Sequence, residues 1–263
     1  MIKNLGLNKI LWMIIAVLSL IAALLGVVNP SIYNGLASNE VMPGVLSQDL
    51  MTILASITVI ILVSIMKESD SKKQVVILGI IGYIFYAYGI YVIEIFYNSL
   101  YLLYMAIFGL SFYTLIFNVA SVRQEMLQEV NIPKIIRNVS VGFSLFIPLL
   151  FYPMWISHLM PLMETGTKIE NLYSIYILDM AFILPLFIVI SIMALKNKGL
   201  GLLLIPTLFI KGFTLLFSVA VGTMLKPMYH QTGDVGEMML YLSISFAFLI
   251  LTVVYFRKLE LRA

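Results

Sequence analysis

Two neighbouring apolar segments of this sequence each carry one ionisable residue and one proline in their interior. The first contains Asp179 and Pro185, the second contains Pro206 and Lys211, and a short basic turn at 196–199 joins them. Because a charge inside hydrocarbon is costly, such residues usually face the interior of a helix bundle and find a partner there. Asp179 and Lys211 therefore give the strongest indication of a functional site in the chain.

The depths of these two residues permit them to meet. With one segment running inward and the next running outward, Asp179 lies about 10 Å and Lys211 about 18 Å below the same membrane surface. A lysine stem covers several ångströms by snorkelling, so a salt bridge is geometrically feasible. Three interpretations remain open: a buried pair that only fixes the helix register, a site for a ligand or an ion, and no pairing at all.

The prolines leave backbone acceptors without a donor. Pro185 cannot donate a hydrogen bond to the carbonyl of Ala181, and Pro206 cannot donate one to the carbonyl of Leu202. Freed carbonyls in a bundle either coordinate ions or simply accompany a kink.

A second group of polar residues is predicted near the same membrane surface. Asp49 is predicted to open the second apolar segment, where the dipole of a helix N-terminus favours a carboxylate. Helical spacing places Tyr91, Glu94 and Asn98 on one stripe of the third segment. Helix capping alone accounts for Asp49, and snorkelling to the surface accounts for Glu94; the alternative is that both enter a polar pocket.

Together these residues predict one outward-facing polar cavity. Asp49, Asn98 and Asp179 are expected to converge on it, with Lys211 as a candidate for its floor and the Tyr91 hydroxyl in its wall. The predicted ligand-binding set is Asp49, Tyr91, Glu94, Asn98, Asp179 and Lys211.

Composition determines the class of protein that must position these side chains. Of the 263 residues, 62% are hydrophobic and only 11% are charged, and the mean hydropathy is +1.05. A soluble domain is nearer half apolar and about 25% charged. We therefore predict an all-α polytopic transmembrane bundle forming a single domain over 1–263, in contact with membrane lipids. The chain has no cysteine, which excludes disulfides and thiolate chemistry.

The sequence divides into eight apolar segments, each close to the roughly 20 residues that span a bilayer. They cover approximately 10–28, 50–66, 75–97, 100–119, 139–157, 172–195, 199–223 and 237–256. The first is longer than the apolar core of a signal peptide and is predicted to be a retained helix. The third and fourth are too long for one span, so a tight hairpin is predicted at Tyr97-Asn98-Ser99.

The distribution of Lys and Arg predicts the orientation of the chain. If both termini are cytoplasmic, 13 basic residues lie on that side and 2 on the other, with Lys211 inside a span. The longest cytoplasmic connection, 120–138, is predicted to hold a short solvated helix at 121–131, because Ser121 and Gln124 have the spacing of a capping box. His158 and His230 are predicted to be solvated loop residues rather than metal ligands.

Four stretches resemble a widespread, uncharacterised family of small bacterial membrane proteins with about eight spans. They are Asn29-Pro30…Tyr33, Gln48-Asp49-Leu50, the run from Gly82-Tyr83 through Tyr86, Tyr88 and Tyr91 to Phe96-Tyr97-Asn98, and Leu178–Pro185. The resemblance implies no activity. It favours Asp49, Asn98 and Asp179 as functional positions and does not include Glu94 or Lys211. It also implies a location in the bacterial cytoplasmic membrane.

Several classes of function remain open. Buried acids beside proline-interrupted spans favour a transporter or binding protein for a small molecule or an ion. Short loops also fit a non-catalytic sensor, immunity or assembly protein that acts through partners. An intramembrane enzyme is disfavoured because no H-E-x-x-H or G-x-S-x-G motif occurs. A retinal-type photoreceptor using Lys211 is disfavoured by the eight spans. No cofactor and no nucleic-acid partner are predicted, and the oligomeric state is left open.

Overall fold

The computed structural model describes residues 1–169 and 173–261, and it is an all-α bundle. Eight of its helices are long and apolar enough to cross a membrane. The chain runs through α1 (Leu5–Val28), a 3₁₀ turn (Pro30–Tyr33), α2 (Met42–Ile65), α3 (Ser71–Ile93), α4 (Tyr101–Ala120), α5 (Gln124–Gln128), β1 (Val130–Asn131) and α6 (Lys134–Thr165). It continues through α7 (Tyr173–Leu178), a π-helical segment (Asp179–Ile183), α8 (Leu184–Leu195), α9 (Gly199–Leu225), a 3₁₀ turn (Lys226–Tyr229), α10 (Val235–Lys258) and β2 (Glu260–Leu261). The segment from α7 through α8 forms one span.

Helices α3 and α9 are the most deeply buried spans and form the centre of the bundle. They approach each other closely at Gly79, where an added Cβ would lie 2.6 Å from the Cβ of Ile210. Small residues permit such close contact between membrane helices, in which van der Waals packing supplies much of the attraction.

The tyrosines of α3 connect it to its neighbours. Tyr83 donates to the carbonyl of Gln48 on α2 at 3.1 Å, and Tyr88 donates to the carbonyl of Ser19 on α1 at 2.9 Å. Buried tyrosine hydroxyls need acceptors, and neighbouring helix backbones supply them here. The high tyrosine content of this span therefore reflects its central position.

Both described ends of the chain meet the connection between α4 and α6. Ile2 forms an antiparallel bridge with Val122, and β1 pairs antiparallel with β2, with Val130 opposite Leu261. Both ends therefore lie at one end of the bundle, as the even number of spans requires.

The predicted hairpin between the third and fourth spans is confirmed. Helix α3 ends at Ile93 and α4 begins at Tyr101. Ile95 adopts a left-handed φ of 58°, and the side-chain oxygen of Asn98 accepts a hydrogen bond from the amide of Leu100 at 2.9 Å. Asn98 therefore stabilises the turn into α4.

Two predicted boundaries were wrong. Helix α2 begins at Met42, with Pro43 in its first turn, so Asp49 lies about two turns inside the helix and cannot cap it. Helix α5 covers only Gln124–Gln128, is preceded by Arg123 without a side-chain cap, and gives way to β1. The Ser121–Gln124 spacing is therefore not a capping box, because Ser121 is bonded to the end of α4.

Candidate functional site

The six predicted site residues fall into two polar clusters and one link between helices. The tyrosine cluster consists of Tyr33, Asp49, Tyr91, Asn98 and Tyr104. The lysine cluster consists of Tyr86, Trp155, Asp179 and Lys211. Glu94 links the end of α3 to the start of α7.

In the tyrosine cluster, Asp49 is an acceptor for two hydroxyl groups. Tyr33 donates to its Oδ2 at 2.6 Å, and Tyr91 donates to its Oδ1 at 2.8 Å. Asp49 is only 1% exposed. Gly26 on α1 leaves room for this arrangement, because a Cβ there would lie 2.9 Å from Cγ of Asp49. Charge-assisted bonds of this kind satisfy a buried carboxylate.

Asn98 borders the same cluster, since its amide nitrogen donates to the hydroxyl of Tyr104 at 3.2 Å. The ring of Tyr104 lies 5.0 Å from that of Tyr91. The hydrogen bonds in the tyrosine cluster thus connect the turn after α1, helices α2 and α3, and the hairpin into α4 around the buried Asp49.

The predicted convergence on one cavity is corrected by this geometry. A cavity of about 470 Å³ has Tyr91, Glu94, Asp179 and Lys211 in its wall, but neither Asp49 nor Asn98. The hydroxyls of Tyr33 and Tyr91 engage the Asp49 carboxylate, and Asn98 is used by the hairpin. Whether any of the six residues binds a ligand stays a prediction.

Glu94 does not extend freely to the surface. Its Oε1 accepts from the amide of Ser174 at 2.8 Å and from the Ser174 hydroxyl at 2.5 Å. Ser174 lies in the first turn of α7, where backbone amides lack partners within the helix. Glu94 therefore fastens α7 to the end of α3.

Asp179 is the first residue of the π-helical segment, in which the amide of Leu184 donates to the carbonyl of Asp179. Trp155 on α6 donates to Oδ2 of Asp179 at 3.1 Å. Tyr152, also on α6, donates to the carbonyl of Met180 at 3.0 Å, five residues before Pro185. Single π turns inside α-helices occur often at functional sites.

Lys211 on α9 is 5% exposed, and its ammonium lies 3.9 Å from the centroid of the Tyr86 ring. Within the described parts of the chain, the ion pairs are Lys73 with Asp70 and Lys226 with Glu237. Of the three interpretations left open by the sequence, a salt bridge between Asp179 and Lys211 is therefore not formed. The ring of Tyr86 faces Lys211 instead, and Tyr86 is also close enough to Asp179 to interact with it electrostatically.

The cavity lies at the end of the bundle opposite the chain ends. The first turn of α2, the end of α3, and parts of α6, α8, α9 and α10 form its wall. Its interior is mostly apolar and includes Phe187, Phe248 and Ile147. Lys226, directly after the last residue of α9, forms an ion pair at 2.6 Å with Glu237, near the start of α10.

One carbonyl freed by a proline already has a donor. The hydroxyl of Tyr255 donates to the carbonyl of Leu202, four residues before Pro206, at 2.7 Å. This carbonyl is therefore used to join α10 to α9.

The two histidines are not part of a metal-binding group in the described part of the chain. Within 1–169 and 173–261, no three His, Asp or Glu residues are arranged to hold a metal ion. The prediction that His158 lies in a loop was wrong, because α6 continues to Thr165. The His158 ring packs against that of Trp155 with centroids 5.8 Å apart.

Sequence reasoning missed Tyr86 and Trp155 as members of the lysine cluster. Tyr86 was one of many tyrosines on its span, and Trp155 lay on a different helix with no motif to connect it to Asp179. The signal was the rarity of tryptophan, which occurs twice in the chain.

The chain matches no protein-family model, no curated protein and no solved structure. The resemblance to an uncharacterised bacterial family therefore stays a prediction.

Proposed function

We propose that the protein binds an amphipathic small molecule in the cavity beside Asp179 and Lys211, reached from the face opposite its termini. The observation that supports this proposal most directly is a largely apolar cavity of about 470 Å³ whose wall contains the lysine cluster. Ligand sites are typically apolar cavities of roughly this size with a few convergent polar groups. Ionisable groups inside a membrane bundle mark such sites by default.

The proposal extends to transport. The π segment and Pro185 interrupt regular hydrogen bonding where α7 joins α8, next to the cavity. Interrupted helices at a binding site are common in transporters, in which one part of the bundle rocks against another around that site. With both termini in the cytoplasm of a bacterium, the cavity opens outward.

The two tryptophans permit a direct test. Trp155 borders the cavity, whereas Trp12 is fully buried on α1, bonded to Asn118 at 2.7 Å. The Trp12→Phe variant in nanodiscs leaves Trp155 as reporter, and the Trp155→Phe variant leaves Trp12 as control. We expect ω-brominated decanol to quench Trp155 saturably and Trp12 not saturably. Equal, unsaturable quenching of both would mean that the probe only dissolves in the bilayer.

A further inference from the structure

The charged groups around the cavity differ in how far they are already satisfied. Glu94 is bonded to Ser174, Asp179 to Trp155, and Glu237 to Lys226. Glu40 has no partner in the described part of the chain but is exposed, so Lys211 is the exception among the groups shielded from solvent. Its ammonium makes no hydrogen bond or ion pair to any residue within 1–169 or 173–261, although it carries three donors.

Burial makes this unsatisfied cation significant. Lys211 is 5% exposed and lies in the cavity wall. A buried charge is unfavourable unless it is paired and hydrogen-bonded. The Tyr86 ring supplies attraction through its π face, and Asp179 acts only through space, so neither fills the donor positions.

Resting on the proposed function, we infer that the ligand carries a carboxylate on an apolar body and that Lys211 binds this carboxylate. A carboxylate offers two oxygens to the three ammonium donors, and the pair gains strength where water is excluded. The apolar body occupies the region around Phe187 and Phe248. Among the acids in the wall, Glu94, Asp179 and Glu237 already have partners, and Glu40, which has none among the described residues, is exposed rather than buried.

Two sources supply this chemistry: a fatty acid from the bilayer and a water-soluble apolar acid. They share the carboxylate contact with Lys211 and differ in the route of entry. Decanoate represents the first source and 3-phenylpropionate the second.

The experiment compares ω-brominated decanoate, decanol and decylamine on the full chain carrying Trp12→Phe, in nanodiscs. Quenching of Trp155 reports binding. We expect the acid to bind about tenfold more tightly than the alcohol, as a hydrogen bond to a charged group would give, and the amine most weakly. Adding Lys211→Met should remove the advantage of the acid over the alcohol. Lys73→Met, at a lysine that is paired with Asp70 and lies outside the cavity wall, is the matched control and should retain it.

Each outcome decides the inference. Equal saturable binding of acid and alcohol, or tighter binding of the amine, would refute the role of Lys211 and leave cavity binding intact. Absence of saturable quenching by all three probes would refute the proposed function as well. If Lys211→Met does not fold, the comparison of acid with alcohol on the parent protein still decides, together with Lys211→Arg, which should keep the preference. Displacement of brominated decanoate by 3-phenylpropionate would indicate the water-soluble source, and failure to displace it would indicate the bilayer.

Discussion

The Tyr255 hydroxyl on α10 bonds to the Leu202 carbonyl on α9 at 2.7 Å. In a regular helix that carbonyl would accept from the amide of residue 206, which is proline here. A side chain of one helix thus completes the backbone of another, and the contact depends on the proline.

This dependence can be tested with a double-mutant cycle. Tyr255→Phe should destabilise the protein by about 1–3 kcal/mol, because it leaves a buried acceptor unsatisfied. In a Pro206→Ala background, the new amide reaches Leu202, so the same change should have a much smaller effect. Melting temperatures of the four proteins check this, and equal effects in both backgrounds would contradict the dependence.

The two buried acids should respond differently to amidation. Asp49→Asn should lower stability by about 1–3 kcal/mol, since the amide is neutral and its nitrogen cannot accept a hydrogen bond from one of the two tyrosine hydroxyls. The affinity of the Asp49→Asn variant for the brominated probes should stay unchanged, because Asp49 is outside the cavity wall. Asp179→Asn alters the wall itself and should change probe affinity more than stability. Melting temperature and quenching, measured on both variants, distinguish these outcomes; the reverse pattern would refute the separation into two clusters.

Gly26 should tolerate no side chain. An added Cβ would lie 2.9 Å from Cγ of Asp49, so Gly26→Ala should destabilise the protein by about 1–3 kcal/mol through overpacking. Gly109 on α4 is the matched control, because a Cβ there meets nothing within 4 Å. Gly109→Ala should be neutral or stabilising by up to about 1 kcal/mol. A similar loss of stability in both variants would argue against a specific contact.

The absence of native cysteine makes the orientation easy to measure. Ser38 precedes α2 at the end with the cavity, and Ser69 lies between α2 and α3 at the other end; both are exposed. We expect an impermeant thiol reagent added outside intact cells to label a cysteine at position 38 and not one at position 69. Labelling of position 69 alone would invert the proposed topology.

The number of spans and the hairpin could be predicted from sequence because both follow from runs of apolar residues. Asp49 was misplaced because apolar count alone could not show that α2 starts at Met42, where Pro43 opens the helix. Its partners lie on a turn and on another helix, and no spacing rule connects them. Lys211 was rightly predicted to be buried, but the sequence left its pairing with Asp179 open, because side-chain packing decides that an aromatic ring faces its ammonium.

The π segment gives the span from Tyr173 to Leu195 one residue more than a regular helix of the same height needs. Deleting one residue within Asp179–Ile183 would convert the π-helical segment into regular α-helix. The helical turns on either side would then keep their present orientation. The same shortening in α9 would rotate everything beyond it by about 100° and carry Lys211 or its neighbours towards lipid. Of the two spans that border the cavity, the one with the π-helical segment should therefore tolerate a one-residue deletion, and α9 should not. We expect deletion of Ala181 to lower the thermal stability less than deletion of Leu208 does.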